Sequence, residues 1–403
     1  MRIYFIYFLL IQICFLSSCY DSNDSLSHND EIPFYQEKNS SEFSDSITLV
    51  ESGRVDFPLD SVTALSTRSI HAFTTPDGHS YYTFINDYNG VLYIYDFDKR
   101  KLASKIKLFN EGPNGVGVSS YLSHYMLNLD SIIICNGWTA KVYMINRLGE
   151  VLKKFDLPMP GSGKLIVGIA ASSAKPLVFM DNKIYIIGHL LDFSISDHTK
   201  VKNVIVVDLS KNTIQRIFSR PELFNFGTWS GYQFELFGTH NNLSNKLVYS
   251  YAADPFIYEA DKNGNILSKH YASSLYFKEI SPFSEEKSSN DNIDISKLER
   301  HDYVTPQFEK ILFDRFHNLY YRFAFLPKDE EGYKNPKTRT YRRETIVILD
   351  SSYSKVGEVL LPDGKFNPDM FFITKEGLHI AENPERQGNE NSLSFVTYTI
   401  QTK

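Results

Sequence analysis

Few residues of this chain stand in a pattern that does chemistry. Its histidines, among them His71, His124, His189, His240 and His317, are scattered singly rather than at metal-ligand spacing. No HExxH helix, GxSxG elbow or EF-hand calcium loop occurs. The stretch "NEGPNGVG" (110–117) places a carboxylate, Glu111, beside a Pro-Asn-Gly turn that carries Asn114. Its glycines suit a phosphate loop, but it matches neither a Walker A pattern nor a dinucleotide fingerprint, and a connector between elements is the better reading. Trp138 in "NGWTA" and Trp229 in "NFGTWSG" offer two chemistries. An exposed indole stacks on sugars or aromatic ligands; a buried one caps the fold. The basic run Lys334, Lys337, Arg339, Arg342 and Arg343 either meets an acidic partner or forms a solvated hairpin face. Cys135 ends the apolar run "SIIIC" and reads as a buried strand thiol, since nothing nearby in sequence would lower its pKa.

The elements that must position these residues are strands. The segment "VYMINRLGEVLKKFDLP" (142–158) reads as strand, tight turn, strand, and the same phrase recurs as "LYIYDFDKRKLASKIKL", "VIVVDLSKNTIQRIF" and "FIYEADKNGNILSKHY". In five copies the first strand ends in an Asp or Asn: Asp96, Asn146, Asp208, Asp261 and Asp350, spaced by 50, 62, 53 and 89 residues. A period near ~40–50 residues is that of propeller blades with four strands each. The expected fold is all-β, a six-bladed β-propeller of four-stranded antiparallel blades, with seven blades as the runner-up. The sixth blade lacks an outer strand at the C-terminus, and the strand-like segment 46–59 can supply it, closing the ring without a free edge. Residues 278–304 and 327–344 are polar insertions that account for the 89-residue interval.

This topology sorts the candidates. Strands alternate in direction, so A–B and C–D turns share one face and B–C and D–A loops share the other. The long, unusual segments fall on the second face, where function is expected. The candidate binding face therefore comprises Glu111, Asn114, Trp138, His189, Trp229, Asp254, Arg343 and Asn383. Axial sites assembled from one residue per blade would escape spacing analysis, which keeps an enzyme reading open.

At 403 residues, with 42% hydrophobic residues, 26 Tyr and 30 Phe, the composition suits pleated, half-buried surfaces. A net charge of −6 argues against nucleic acid as a partner. At the N-terminus, Arg2 precedes the apolar run "IYFIYFLLIQICFL" (3–16), too short to span a bilayer, and then Leu16-Ser17-Ser18-Cys19. This resembles the lipobox of bacterial lipoproteins, which implies cleavage before Cys19 and lipidation of its thiol. The expected organisation is a signal peptide at 1–18, a polar tether at 19–45 and the propeller at 46–403. Asp24-Ser25-Leu26 and Asp45-Ser46-Ile47 are similar to the sites that Bacteroidetes O-glycosylate. With Cys14 removed and Cys19 lipidated, Cys135 has no partner for a disulfide.

The lipobox, the tether, "NEGPNGVG" and the hairpins ending in Asp together resemble the Bacteroidetes six-bladed β-propeller lipoproteins of unknown function, with NHL and TolB-like propellers as looser relatives. The resemblance implies the fold and an envelope location, either periplasmic or cell-surface, on the outer membrane. It supplies no catalytic residues. The expectation is a monomeric, lipid-anchored platform, non-enzymatic and without a cofactor, that binds an envelope protein or glycan. The alternative is a metal-assisted hydrolase or lyase with its site at the axial mouth.

Overall fold

The computed structural model describes residues 44–403 except 64, 66, 68, 158–165, 170, 192–196, 278, 284–293, 336–341 and 385–389. Cys19, the segment expected to be a signal peptide and most of the expected tether lie outside the described residues, as do parts of both insertions.

The first strand, β1 (Ile47–Pro58), precedes the blade that bears its sequence neighbours. Blade 1 follows as β2 (Ile70–Thr74), β3 (Ser80–Asn86), β4 (Val91–Asp96) and β5 (Lys101–Lys107). Blade 2 holds β6 (Leu122–Asn128), β7 (Ser131–Asn136), β8 (Lys141–Ile145) and β9 (Val151–Asp156). Blade 3 holds β10 (Ile166–Ile169), β11 (Val178–Met180), β12 (Lys183–Leu191), β13 (Lys202–Asp208) and β14 (Thr213–Ser219). Blade 4 is β15 (Leu236–Asn241), β16 (Lys246–Tyr251), β17 (Phe256–Ala260) and β18 (Ile266–Tyr271). Helix α1 (Ile295–Val304) leads into blade 5, with β19 (Gln307–Asp314), β20 (Leu319–Phe325), the short α2 (Glu330–Lys334), β21 (Glu344–Leu349) and β22 (Lys355–Leu360). Blade 6 contains β23 (Phe366–Thr374), β24 (Gly377–Glu382) and β25 (Ser392–Thr402), and β1 completes it as the outer strand.

The expected closure is present. β1 runs antiparallel to β25 from Ile47 opposite Thr402 to Pro58 opposite Ser392. Phe57 stacks on Tyr82 of blade 1 at 4.4 Å and meets Phe395 of blade 6 edge-on at 6.0 Å. One apolar cluster thus spans the first and last blades and includes Val55, Phe84, Tyr95 and Phe372. The chain enters beside blade 5: the amides of Ser44 and Ser46 donate to the carbonyls of Lys355 and Val356 (3.2 and 3.0 Å). That entry sits where other blades carry a C–D turn.

The strand-ending Asp and Asn residues are turn caps. In one turn type the first residue's side chain accepts backbone N–H bonds from the third or fourth residue, and the fifth residue is left-handed. Asn86, Asp96, Asn136, Asp208, Asn241 and Asp314 open such turns. Gly90, Arg100, Ala140, Asn212, Asn245 and Asn318 close them at φ between 51° and 63°. The side chain satisfies amides that the turn would otherwise leave unpaired. Asn146, Asp261 and Asp350 cap a second type, in which the fourth residue (Gly149, Gly264, Tyr353) is left-handed. In both types the third residue stands at the apex.

Two elements depart from the sequence reading. Blade 3, expected with four strands, has its inner strand split in two: β10 pairs with one end of β12 and β11 with the other. The insertion before blade 5, expected as a polar excursion, holds the ten-residue α1, capped by Asp294, whose carboxylate accepts the Ser296 amide at 2.9 Å. α1 and α2 meet through the Arg300–Glu330 ion pair and the Tyr303 and Tyr333 rings, 5.8 Å apart. Both insertions are D–A or B–C connections, so they leave the strands on the loop face at blades 4 and 5.

Candidate functional site

Two places on the loop face draw chemistry together: an aromatic ledge over blades 1 and 2, and a charged hub on the axis.

The ledge grows from two equivalent B–C turns, "NDYNG" (86–90) and "NGWTA" (136–140). Asn86 Oδ1 accepts the amides of Tyr88 and Asn89 (3.2 and 3.1 Å), and Asn136 Oδ1 those of Trp138 and Thr139 (3.0 and 2.9 Å). Tyr88 and Trp138 are therefore the apex residues, 83% and 56% exposed. Trp138 is backed on one side by Tyr121, stacked at 5.2 Å and 29°. The turns are laced to neighbouring loops. Ser119 Oγ donates to Asp87 O (2.6 Å), the Gly137 amide to Tyr121 O (2.9 Å) and Asn89 Nδ2 to Val62 O (3.0 Å). Asn136 Nδ2 donates to Val116 O at 2.7 Å. Gly117 beside it has φ +94°, and a Cβ there would lie 2.2 Å from that Nδ2, so only glycine fits. Exposed Val62, Phe109 and Val118 extend the apolar surface.

The hub forms because blade 3's split inner strand turns its intervening residues into the ring. The Ser173 hydroxyl accepts the amide of Ile70 in blade 1 (2.8 Å). Ala174 packs against apolar clusters of blades 4, 5 and 6. Lys175 pairs with Glu235 at the foot of β15, and its Nζ lies 5.0 Å from the Phe237 ring centroid. A segment that touches blades 1, 4, 5 and 6 must occupy the axis, so residues 171–177 plug it. Burial pushes the Lys175 ammonium down to about 8, against the pull of Glu309 and Asp369 on the inner strands of blades 5 and 6. Burial likewise pushes the Glu309 carboxyl up to about 7, opposed by Lys310 and Arg342. Lys310 makes a buried pair with Glu344 at 3.0 Å. The carboxylates thus gather about the protein's own ammonium. Among the described residues no three His, Cys, Asp or Glu side chains converge so as to hold a metal ion.

The other candidates divide. Glu111 is exposed. Asn114, on the same loop, is bound inward: its Oδ1 accepts the Val151 amide at 3.0 Å, which makes "NEGPNGVG" the connector between blades 1 and 2. Trp229 is 1% exposed, and its Nε1 donates to Phe226 O at 2.8 Å, so it caps blade 4 and presents no ring to a ligand. Asp254 is buried; it accepts the Phe256 amide (3.0 Å) and the Tyr258 hydroxyl, and burial raises its pKa. Asn383 is buried, with its amide bonded to Lys365 O at 2.9 Å. Arg343 is exposed. Its neighbour Arg342 turns inside instead, donating to the carbonyls of Asp302, Thr305 and Leu326 (3.0, 2.6 and 3.3 Å), while Lys337 and Arg339 of the basic run lie outside the described residues. His189 lies in β12 opposite Gly168. Cys135 is buried, which pushes its thiol up to about 12. The site residues thus do not form one cluster: the structure stacks Trp138 on Tyr121 and sets Tyr88 at the equivalent apex of blade 1, and neither tyrosine stood out in the sequence. The signal for Tyr88 was there, since "NDYNG" and "NGWTA" share an Asn two residues before the ring.

One Ser–His contact also escaped sequence reading. Thr83 Oγ1 donates to His71 O (2.8 Å), so His124 Nε2 donates to Thr83 (2.7 Å), and Nδ1 accepts from Ser69 Oγ (2.6 Å). Ser69 also accepts the His124 amide at 2.9 Å. Ser69 and His124 are both buried, and burial holds His124 neutral, so the set locks blades 1 and 2 together.

The family model "Domain of unknown function (DUF4221)" matches residues 46–360. A DUF4221 member from Bacteroides vulgatus is similar at 21% identity and TM-score 0.76, covering 89% of this chain and 100% of that one. A putative exported protein from Bacteroides fragilis has 12% identity and TM-score 0.49, covering 92% of this chain and 98% of that one. The inactive H270A virginiamycin B lyase from Staphylococcus aureus, bound to quinupristin, has 11% identity and TM-score 0.41, covering 86% and 99%. No curated protein matches the chain. The six blades, the closing N-terminal strand and a family match over most of the chain agree: this protein belongs to the DUF4221 family of six-bladed β-propellers of unknown function.

Proposed function

We propose that the protein is a lipid-anchored binding platform of the bacterial cell envelope that engages an envelope protein or glycan through the ledge over blades 1 and 2. One observation carries the reading: Tyr88 and Trp138 occupy equivalent exposed apices on adjacent blades, held by turns laced into the scaffold. Rings exposed in this way add nothing to the core, and rigid loops lower the entropy lost on binding.

The anchor rests on the Leu16-Ser17-Ser18-Cys19 sequence, with outer-membrane attachment and a periplasmic or surface-facing domain. No helix among the described residues is long and apolar enough to cross a membrane. The chain joins the propeller on the turn face, opposite the ledge, an arrangement suited to presenting the ledge away from an anchor. The second reading, a hydrolase or lyase at the axial mouth, draws support from Glu235, Glu309 and Asp369 gathered around Lys175. Against it, the plug fills the axis and Lys175 holds the central cationic place.

Crosslinking and pulldown from native envelopes tests the leading reading. Wild type is expected to capture a partner that Trp138→Ala and Tyr88→Ala lose. Capture unchanged in both variants would overturn it, and protease shaving of intact cells would separate surface from periplasmic exposure.

A further inference from the structure

We infer that the ledge is a carbohydrate site, with Tyr88 and Trp138 as two stacking rings for an uncharged oligosaccharide. The inference rests on the platform reading and names the ligand class of the same site.

The first argument is positional. The third residue of the capped turn is exposed whatever its type, and at the C–D turns of blades 1 and 3 it is Asp98 or Ser210. The fold does not require an aromatic ring there. Two consecutive blades nevertheless carry one on the same face.

The second argument concerns the rings. Tyr121 covers one side of the Trp138 indole and fixes its orientation, while more than half of the residue stays exposed. The C–H face of a sugar ring packs on such a surface, and its hydroxyls need polar groups around the rim. The ledge has them in Asp87, which precedes Tyr88, and in exposed Thr139, which follows Trp138. Beside the rings, the exposed large apolar side chains among the described residues of these loops are Val62, Phe109 and Val118.

The third argument is charge. Lys107 spends a donor on Asn89 O at 2.6 Å, and Lys105 pairs with Asp60. Carboxylates stand close by at Asp87 and Glu111, and the whole chain carries −6. A polyanionic glycan would be repelled, whereas a neutral one meets no penalty.

The test uses the full chain on an array of neutral α- and β-linked glucans, mannans, xylans and galactans, followed by fluorescence titration of each hit. Trp229 is buried and serves as an internal reference. Binding is expected to shift the emission of Trp138 to the blue. Trp138→Ala should weaken binding by about tenfold or more and Tyr88→Ala by severalfold, with Leu243→Ala and Phe316→Ala on the opposite face unchanged. Two outcomes overturn the inference: no saturable binding anywhere on the array, or binding indifferent to both ledge variants. If the array is blank while envelope crosslinks still depend on Trp138, the carbohydrate inference fails and the platform reading stands. Loss of both removes the two together.

Discussion

The backbone amide of Ile70, on the inner strand of blade 1, donates to the Ser173 hydroxyl, 103 residues away in blade 3, over 2.8 Å. Blade 2 lies between these blades in the ring, so the bond crosses the interior and holds the plug in place. Both partners are buried. Ser173→Ala leaves the Ile70 amide unsatisfied and is expected to cost about 1–3 kcal/mol. In urea titrations the midpoint should fall with the slope unchanged; an unmoved midpoint would show that the plug is not under load.

Glu309 gives the hub a pH signature. Its carboxyl sits at about 7 in the fold against an ordinary 4.5. Between those values the folded chain keeps a proton that the unfolded chain has released, so this group's contribution falls as pH rises. Buried neutral histidines, His71 and His124 among them, act in the opposite sense below pH 6.5, so the readout is a difference between two proteins. Glu309→Gln should gain on wild type by on the order of 2–3 kcal/mol from pH 4.5 to 7 and no further above it. A difference that stays flat across this window would place Glu309 outside the hub's electrostatics.

Phe57 tests the closure. It is fully buried between Tyr82, Tyr95 and Phe97 of blade 1 and Phe372 and Phe395 of blade 6. Phe57→Ala should cost about 3–5 kcal/mol. Deleting residues 46–57 should lower the melting temperature of the whole domain in a single transition, because the loss opens the ring rather than trimming one blade. A truncation with an unchanged melting curve would mean that β1 is dispensable.

What the sequence disclosed follows from range. Asp96, Asn146, Asp208, Asp261 and Asp350 were legible because each caps a turn within four residues of itself, and their recurrence set the blade count. The closing strand was legible because blade 6 lacked an outer partner. The plug was not: 171–177 interrupts an inner strand, and its meaning lies in Ile70, Glu235 and Glu309, all distant in sequence. Trp138 and Trp229 look alike as loop tryptophans. Only the Asn two residues before Trp138 marks it as an apex, and Tyr88 shares that mark.

Arg322 was equally hidden, an ordinary strand residue in "NLYYRFAF". Its guanidinium is fully buried and donates to Ser250 Oγ (3.0 Å) and to the carbonyls of Pro255, Ala272 and Asp254 (2.9, 2.9 and 2.6 Å), over the face of Phe308. It thereby ties the B–C turn of blade 4 to blade 5. Lysine has three donors on a point charge and cannot reproduce the fork. Arg322→Lys should cost about 3–5 kcal/mol, and hydrogen exchange should rise first across 251–256. Protection there equal to wild type would mean that the turn holds itself.

The two tryptophans give the sharpest contrast. Trp138 stands at a turn apex with its backbone held by Asn136, so its side chain adds little to stability. Trp229 is enclosed, edge-on to Phe224 at 5.7 Å. Trp138→Ala is expected within about 0.5 kcal/mol of wild type and Trp229→Ala about 3–5 kcal/mol below it. Acrylamide should quench the emission of a Trp229→Phe variant, which reports Trp138 alone, and spare that of Trp138→Phe. Equal quenching of the two would remove the exposed ring on which the ledge depends; unequal quenching with equal stability losses would instead make Trp138 part of the core and the ledge a packing feature.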